Sequence, residues 1–152
     1  MTQGSLAPVL ILGGFAVDDR GQVSFVNDFS FEGIKRFYQV GNFSLNTVRA
    51  FHGHTKEAKY AYVAAGSAVV AAVEMDDTKK PSTDKKVERY ILSARKPSVL
   101  YIPPGYANGF KSLEEGTVIL FFSTASVEDS KKDDYRFPYD YWGSGVWDTE
   151  NR

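Results

Sequence analysis

An all-β sandwich or barrel is the fold class this sequence predicts, on three observations. Short runs rich in Val, Ile, Phe and Tyr recur along the chain, separated by Gly, Pro, Asn and Asp turn signals. Apolar residues almost never repeat at helical spacing. Aromatic residues make up 14% of the chain, mostly Phe and Tyr, which suits pleated, half-buried surfaces and flat ligands that need stacking. The length of 152 residues predicts a single domain, 1–152, that builds its core without staples.

Residues 8–16 (PVLILGGFA) read as a first buried strand broken by Gly13-Gly14. Asp18-Asp19-Arg20-Gly21 is a turn signal, and Val23 to Phe25 is the next strand. Residues 34–40 (IKRFYQV) alternate as a strand, and Gly41-Asn42 punctuates before the next one. Residues 67–75 (SAVVAAVEM) are apolar for most of their length, and residues 76–86 (DDTKKPSTDKK) form a solvated hairpin tip rather than a binding patch. Further strands follow at 87–93, 98–102, 108–112 and 117–124, with Pro103-Pro104-Gly105 as a tight turn. One short helix fits around 127–131. The tail beyond it holds Tyr135, Phe137, Tyr139, Tyr141, Trp142 and Trp147, too aromatic to hang free, and is expected to dock on the body.

Composition removes several function classes. A formal net charge of −1 argues against a nucleic-acid binder. The absence of cysteine excludes disulfides, thiolate catalysis and cysteine-held metals. No apolar run approaches the roughly 18 residues of a membrane helix. The opening MTQGSLAPVLILGGF lacks a basic segment before its short apolar run, so it is not read as a signal peptide, and a cytoplasmic protein is the expectation.

The chemistry concentrates in residues 49–66, RAFHGHTKEAKYAYVAAG, which contain the chain's two histidines. They sit in a strand that turns at Thr55-Lys56-Glu57 into another. Side chains alternate on a strand, so His52 and His54 share a face roughly 7 Å apart. Two imidazoles aimed into one cavity hold a metal or move protons near neutral pH, or are simply packed and hydrogen-bonded. Together with Gly66 and the later Pro103-Pro104-Gly105-Tyr106-Ala107-Asn108, their spacing resembles the signature of the cupin jelly roll. Counted from that signature, Lys59 stands where metal cupins place a glutamate ligand, and Asn108 stands where they place the last histidine. An ammonium repels a divalent ion, so no catalytic metal and no cofactor is expected. The same lysine suits a cavity that binds a pyrophosphate or stabilises an enolate.

Four stretches make the resemblance narrower: DDRG (18–21), RAFH (49–52), KYAYVAAG (59–66) and IPPGYANGF (102–110). Over about residues 15–125 they resemble DERG, RGLH, KLVRVVRG and IPPGFAHGF of the metal-free cupins typified by dTDP-4-dehydrorhamnose 3,5-epimerase. The string RAFHGHTKEAKY is also similar to a short polysaccharide-locus subgroup of sugar epimerases. The resemblance implies an isomerase that epimerises C3, C5 or both of a nucleotide-diphospho-4-keto-6-deoxyhexose, with dTDP, GDP or CDP as the nucleotide. It implies His52 as the base next to the keto group and Lys59 near the enolate oxygen and phosphates. Arg20 and Arg49 are implied as pyrophosphate ligands, Arg20 reaching a neighbouring subunit, and a homodimer is implied through exchanged N-terminal strands.

The departures are equally specific. The family's proton-donating tyrosine falls at Phe121, which cannot donate. Asn108 replaces a histidine and is carried as a substrate-binding residue, and Asp140 is the candidate to orient the base. Tyr62, Tyr106 or Tyr139 are candidates to replace the lost tyrosine. The segment RAFHGHTK also resembles RGFHAHK of the cupin 3,4-ketoisomerases, where a histidine pair, here His52 and His54, shuttles a proton on one face. A non-catalytic nucleotide-sugar-binding cupin is a further alternative. Each residue also has a plain structural reading: Arg20 paired with Asp18 or Asp19, Lys59 paired with Glu57, Asn108 capping the Pro-Pro-Gly turn, Phe121 in the core. Simple alternation sets Arg49 on the face opposite His52, so its entry into the same cavity requires a bulge or a position on the rim.

Overall fold

A computed structural model of the chain describes residues 6–152; the first five residues of the N-terminal leader considered above lie outside the described residues. One sheet has the order β1 (Val9–Leu12), β9 (Ser98–Ile102), β6 (Lys59–Ala65), β11 (Val118–Ser123) and β4 (Arg36–Val40). The second has the order β12 (Tyr135–Arg136), β5 (Val48–His54), β10 (Tyr106–Ser112), β7 (Ser67–Glu74) and β8 (Glu88–Ser93). A separate ribbon pairs β2 (Gly14–Asp18) with β3 (Gly21–Phe25), and one short helix, α1 (Val127–Lys131), precedes β12. Every pairing is antiparallel.

Alternation along the strands sorts the apolar residues into three clusters. Ala61, Val63, Val70, Leu92, Leu100, Ile119 and Phe121 interlock between the two sheets. Tyr60, Val99, Tyr101 and Ile11 lie on the outer face of the first sheet, covered by Phe29 and Val26. Val69, Ala71, Val73 and Phe51 lie on the outer face of the second sheet, covered by Phe137, Trp142 and Trp147 of the tail. This explains why β7 is apolar almost throughout: seven of its eight residues are buried because both of its faces are covered. The tail docks as its composition predicts. Trp142 and Phe51 meet edge-on at 4.9 Å, and the indole N–H groups of Trp142 and Trp147 donate to the carbonyls of Ser82 and Tyr139. The helix falls at its expected place, capped by the Ser126 hydroxyl, which accepts from the amide of Asp129.

The first strand differs from the sequence reading. Residues 8–16 do break at Gly13, into the whole of β1 and the start of β2, but they are not the buried strand expected, since Ile11 is the one buried residue among them; Gly13 packs flush against the Phe25 carbonyl and its amide donates to Pro97. There the chain leaves the sheet for the β2–β3 ribbon, whose Phe15, Val17 and Val23 are exposed.

One irregularity positions the site. Between β5 and β10 the register runs Asn108 opposite His52 and then Phe110 opposite Arg49, so three steps of β5 match two of β10. This bulge is accommodated by Gly109: a Cβ there would lie 2.2 Å from the Ala50 Cβ and 2.7 Å from the Arg49 carbonyl oxygen. Gly109→Ala is therefore expected to lower stability by about 1–3 kcal/mol, the usual range for overpacking, read as a fall in the denaturant midpoint with an unchanged slope. An unchanged midpoint would show that the bulge yields freely.

Candidate active site

A cavity of about 370 Å³ opens between the two sheets. The second sheet supplies His52, His54 and Arg49 from β5 and Asn108, Gly109 and Phe110 from β10. The first sheet supplies Arg36, Tyr38 and Val40 from β4, Lys59 from β6 and Phe121 from β11. Helix α1 and the chain after it roof one side with Val127, Ser130, Lys131, Asp134 and Arg136. Five cationic side chains thus line the cavity against one carboxylate. Such a field recruits anions.

His52, His54, Lys59 and Asn108 all line this one cavity, so the four positions of the cupin signature converge in space. No group of three His, Cys, Asp or Glu residues among those described is placed to hold a metal ion. Asn108 does not cap the Pro-Pro-Gly turn; its amide donates to the His52 carbonyl at 3.3 Å. Arg49 reaches the cavity because the β5 bulge offsets the alternation that would turn it away, and its Nε donates to Asn42 Oδ1 at 2.7 Å.

His52 is half-buried, and its imidazole is pushed down from 6.5 to about 4. Burial is the largest cause, followed by the charges of Lys59 and Arg136, with the Asp134 carboxylate opposing them. It is therefore a neutral base at pH 7. The sign of the linkage follows: the unfolded chain takes a proton near 6.5 and the folded chain only near 4. Stability from this group is whole above about pH 6.5 and declines as pH falls toward 4. An NMR titration of the unliganded protein should place the His52 midpoint near 4, and denaturant midpoints at pH 5 should lie below those at pH 7. A midpoint near 6.5 would overturn both.

His54 is more deeply set. Its Nδ1 lies 2.5 Å from the carbonyl oxygen of Asp133, which can only accept, so Nδ1 carries a proton. Its Nε2 lies 3.1 Å from Glu57 Oε2. Burial and then the Lys59 charge push its imidazole down, while Glu57 and the Asp133 carbonyl pull it up. The Asp133 carboxylate accepts from the amides of Thr55, Lys56 and Glu57 and from the Thr55 hydroxyl, tying the chain after α1 to the turn after His54. Lys59 sits 3.8 Å from Glu57 Oε2, and its Nζ lies 5.8 Å and 6.0 Å from the ring centres of Tyr38 and Phe121. The lysine thus makes the expected ion pair and still faces the cavity.

Five residues singled out by sequence lie elsewhere. Arg20 stands at the tip of the β2–β3 ribbon, outside the cavity lining, in an ion pair with Asp18. Tyr62 is three residues from Lys59, so alternation sends it to the opposite face of the first sheet, in the cluster with Phe29 and Phe122. Tyr106 packs on the inter-sheet core, where burial and then Glu88 and Glu74 raise its hydroxyl pKa. Asp140 is exposed in the tail and does not reach the base; the carboxylate that His52 feels is Asp134. Tyr139, the third candidate to replace the lost tyrosine, is also exposed and outside the lining.

Tyr38, Arg36, Glu57, Lys131, Asp134 and Arg136 were not visible as site residues in the sequence. A period-two reading of IKRFYQV gives Arg36, Tyr38 and Val40 one shared face, which was the available signal. Phe121 stacks on Tyr38 with ring centres 5.3 Å apart and planes 20° from parallel. The Arg36 guanidinium lies over the Tyr38 ring at 5.1 Å from its centre.

Two facing antiparallel sheets with a basic, histidine-bearing cavity between them match a cupin fold of the sugar-nucleotide-isomerase kind. The chain belongs to the dTDP-4-dehydrorhamnose 3,5-epimerase family, whose pattern matches residues 15–138. It is 31% identical over 107 residues to the spore coat polysaccharide biosynthesis protein SpsL of Bacillus subtilis, covering 69% of this chain and 70% of that one. Two solved structures share the fold. The dTDP-4-dehydrorhamnose 3,5-epimerase of Sulfolobus tokodaii has a TM-score of 0.72 at 22% identity over 91% of this chain and 81% of its own. The sugar 3,4-ketoisomerase QdtA of Thermoanaerobacterium thermosaccharolyticum, solved in complex with TDP, has a TM-score of 0.66 at 20% identity over 90% of this chain and 92% of its own. No helix among the described residues is long and apolar enough to cross a membrane.

Proposed function

We propose that this protein epimerises C3, C5 or both of a nucleotide-diphospho-4-keto-6-deoxyhexose, in the supply of deoxysugars for a polysaccharide. The observation that carries the reading is the convergence of neutral His52 and the Lys59 ammonium on opposite walls of one cavity with a basic lining. His52 removes the proton from the carbon next to the ketone, and the electron pair of the C–H bond becomes the enolate. Lys59 stabilises the oxyanion. Arg49, Lys131 and Arg136 hold the diphosphate, charge-assisted contacts that anchor the substrate without taking part in the proton transfer. Reprotonation from the opposite wall inverts the carbon. Tyr38 is the hydroxyl on that wall, and its phenol takes its proton back from solvent.

The sugar-nucleotide substrate class is supported by the family and by the TDP-bound relative, and the polysaccharide setting by the spore coat relative. A homodimer fits the exposed apolar residues Leu12, Phe15, Val17 and Val23 on the edge strand β1 and on the β2–β3 ribbon, which also carries Arg20. A second reading, 3,4-ketoisomerisation, is favoured by one feature: His52 and His54 line the same wall, as a one-face proton shuttle needs.

The deciding experiment incubates the protein with dTDP-4-keto-6-deoxyglucose in deuterated water, followed by NMR and mass spectrometry. Deuterium at C3 or C5 with inversion supports the epimerase. A keto group moved to C3 supports the ketoisomerase. Binding without exchange of the dTDP, GDP and CDP substrates would reduce the protein to a nucleotide-sugar-binding cupin.

A further inference from the structure

Glu57 is the most enclosed charged group of the site, with a side chain 1% exposed, and the proton transfers above do not use it. Groups from every neighbouring element face it. Arg36 of β4 lies 3.5 Å from Oε1, and the Ser123 hydroxyl of β11 donates to the same oxygen at 2.7 Å. His54 of β5 and Lys59 of β6 approach Oε2 at 3.1 and 3.8 Å. The Asp133 carboxylate holds the Glu57 amide at 3.1 Å from the far side.

The Oε2 side is incomplete. Neither Glu57 Oε2 nor His54 Nε2 has a hydrogen-bond partner, though they lie 3.1 Å apart and both are buried. Because the Asp133 carbonyl fixes the His54 proton on Nδ1, a neutral His54 beside an ionised Glu57 would set two lone pairs against each other away from water. One proton between them removes the conflict, and it belongs to the pair rather than to either residue.

We infer that Glu57 and His54 share a buried proton, and that this pair makes Glu57 the positioning residue for the Lys59 ammonium. This deepens the epimerase reading and rests on it for the role of Lys59, but not for the proton. Among the described residues, Glu57 is the one carboxylate within ion-pair distance of Lys59. The remaining grip comes from the faces of Tyr38 and Phe121. With the proton in place, His54 is a rigid wall of the cavity and not a second base. The shared-proton pair therefore leaves His52 as the sole base of the site.

The chain has two histidines, so their ring nitrogens are resolved in one nitrogen-15 spectrum of the unliganded protein. The expected spectrum at pH 7 shows His52 as a plain neutral imidazole. His54 should show a protonated Nδ1 and an Nε2 with a downfield, slowly exchanging proton. In Glu57→Gln that downfield resonance should vanish while the His52 signals stay. In turnover, Glu57→Gln should lower kcat by about 10- to 100-fold, the loss expected for a charged contact, with KM nearly unchanged. The loss should fall on kcat because Lys59 loses the carboxylate that holds it at 3.8 Å, and Glu57→Asp should recover part of the rate. A wild-type His54 Nε2 with the shift of an unprotonated acceptor would overturn the shared proton. A wild-type kcat in Glu57→Gln, or a loss that falls on KM instead and is not recovered by Glu57→Asp, would overturn the positioning role. The spectrum needs no substrate and no variant, so a failed epimerase reading leaves the shared proton standing or fallen by itself.

Discussion

Replacing His52 by asparagine is expected to lower the rate of solvent deuterium incorporation at the substrate carbon by about 10²- to 10⁴-fold, the contribution typical of a general base. The effect should fall on kcat, with TDP affinity held within a few-fold. The reason is spatial separation of duties. His52 projects from β5 into the cavity, while the cations assigned to the diphosphate come from Arg49 at the bulge and from Lys131 and Arg136 on the roof. Asparagine is close to the imidazole in size and polarity at the ring edge, so the Asn108 amide keeps its bond to the backbone carbonyl of residue 52. His54→Asn makes the useful contrast. If His54 is a wall and not a shuttle, this variant should lose stability and activity together, without a selective block on proton removal. Residual exchange at the wild-type rate in His52→Asn would remove the base from the mechanism, and selective loss in His54→Asn would favour the one-face ketoisomerase.

The core of this site was legible because strand alternation and motif spacing carry spatial information. His52 and His54, two residues apart, do share a wall, and Lys59 and Asn108 join them at the positions their spacing implied. Alternation also showed that Arg49 needed either a bulge or a rim position, and the bulge is what the sheet provides. The bulge itself was not readable, since it depends on Gly109 lying flush against a neighbouring strand whose partner is set by the whole sheet. Tyr62 failed as a site residue on the same rule, applied one step short: an odd separation from Lys59 puts it on the outer face. Asp140 and Asp134 could not be told apart by sequence, because β12 pairs with β5 over only two residues and brings Asp134, not the later tail, beside the base. The aromatic tail was readable as a docked element by its composition, yet its aromatic residues cover the outer sheet face, while five residues within 127–136 furnish the roof of the cavity. Glu57 read as a turn residue that pairs with Lys59. Its burial arises from Asp133, which folds the backbone of the turn inward by accepting three successive amides.

Tyr38→Phe is expected to separate proton removal from inversion. Inversion requires removal on one face of the carbon and return on the other, so the two groups must come from opposite walls. His52 belongs to the second sheet and Tyr38 to the first, with the cavity between them. Phe121 stands where the resemblance places the family's donor, and the Tyr38 ring lies against that phenyl at 5.3 Å, on the next strand. A hydroxyl lost from β11 is thus offered by β4 a few ångströms away. Arg36 and Lys59 sit over the Tyr38 ring at 5.1 and 5.8 Å and hold it in place on that wall. In the variant, His52 still forms the enolate and returns a proton on the face from which it came. Deuterium therefore continues to enter the substrate with its configuration retained, while the epimerised product falls by about 10²-fold or more, the scale of a lost general acid. Adding Phe121→Tyr to Tyr38→Phe restores a phenol on the same wall and should recover part of the inversion. Wild-type inversion by Tyr38→Phe would instead assign reprotonation to solvent or to another group. Equal loss of exchange and inversion would mean that Tyr38 acts before the enolate forms, by holding Lys59 beneath its ring.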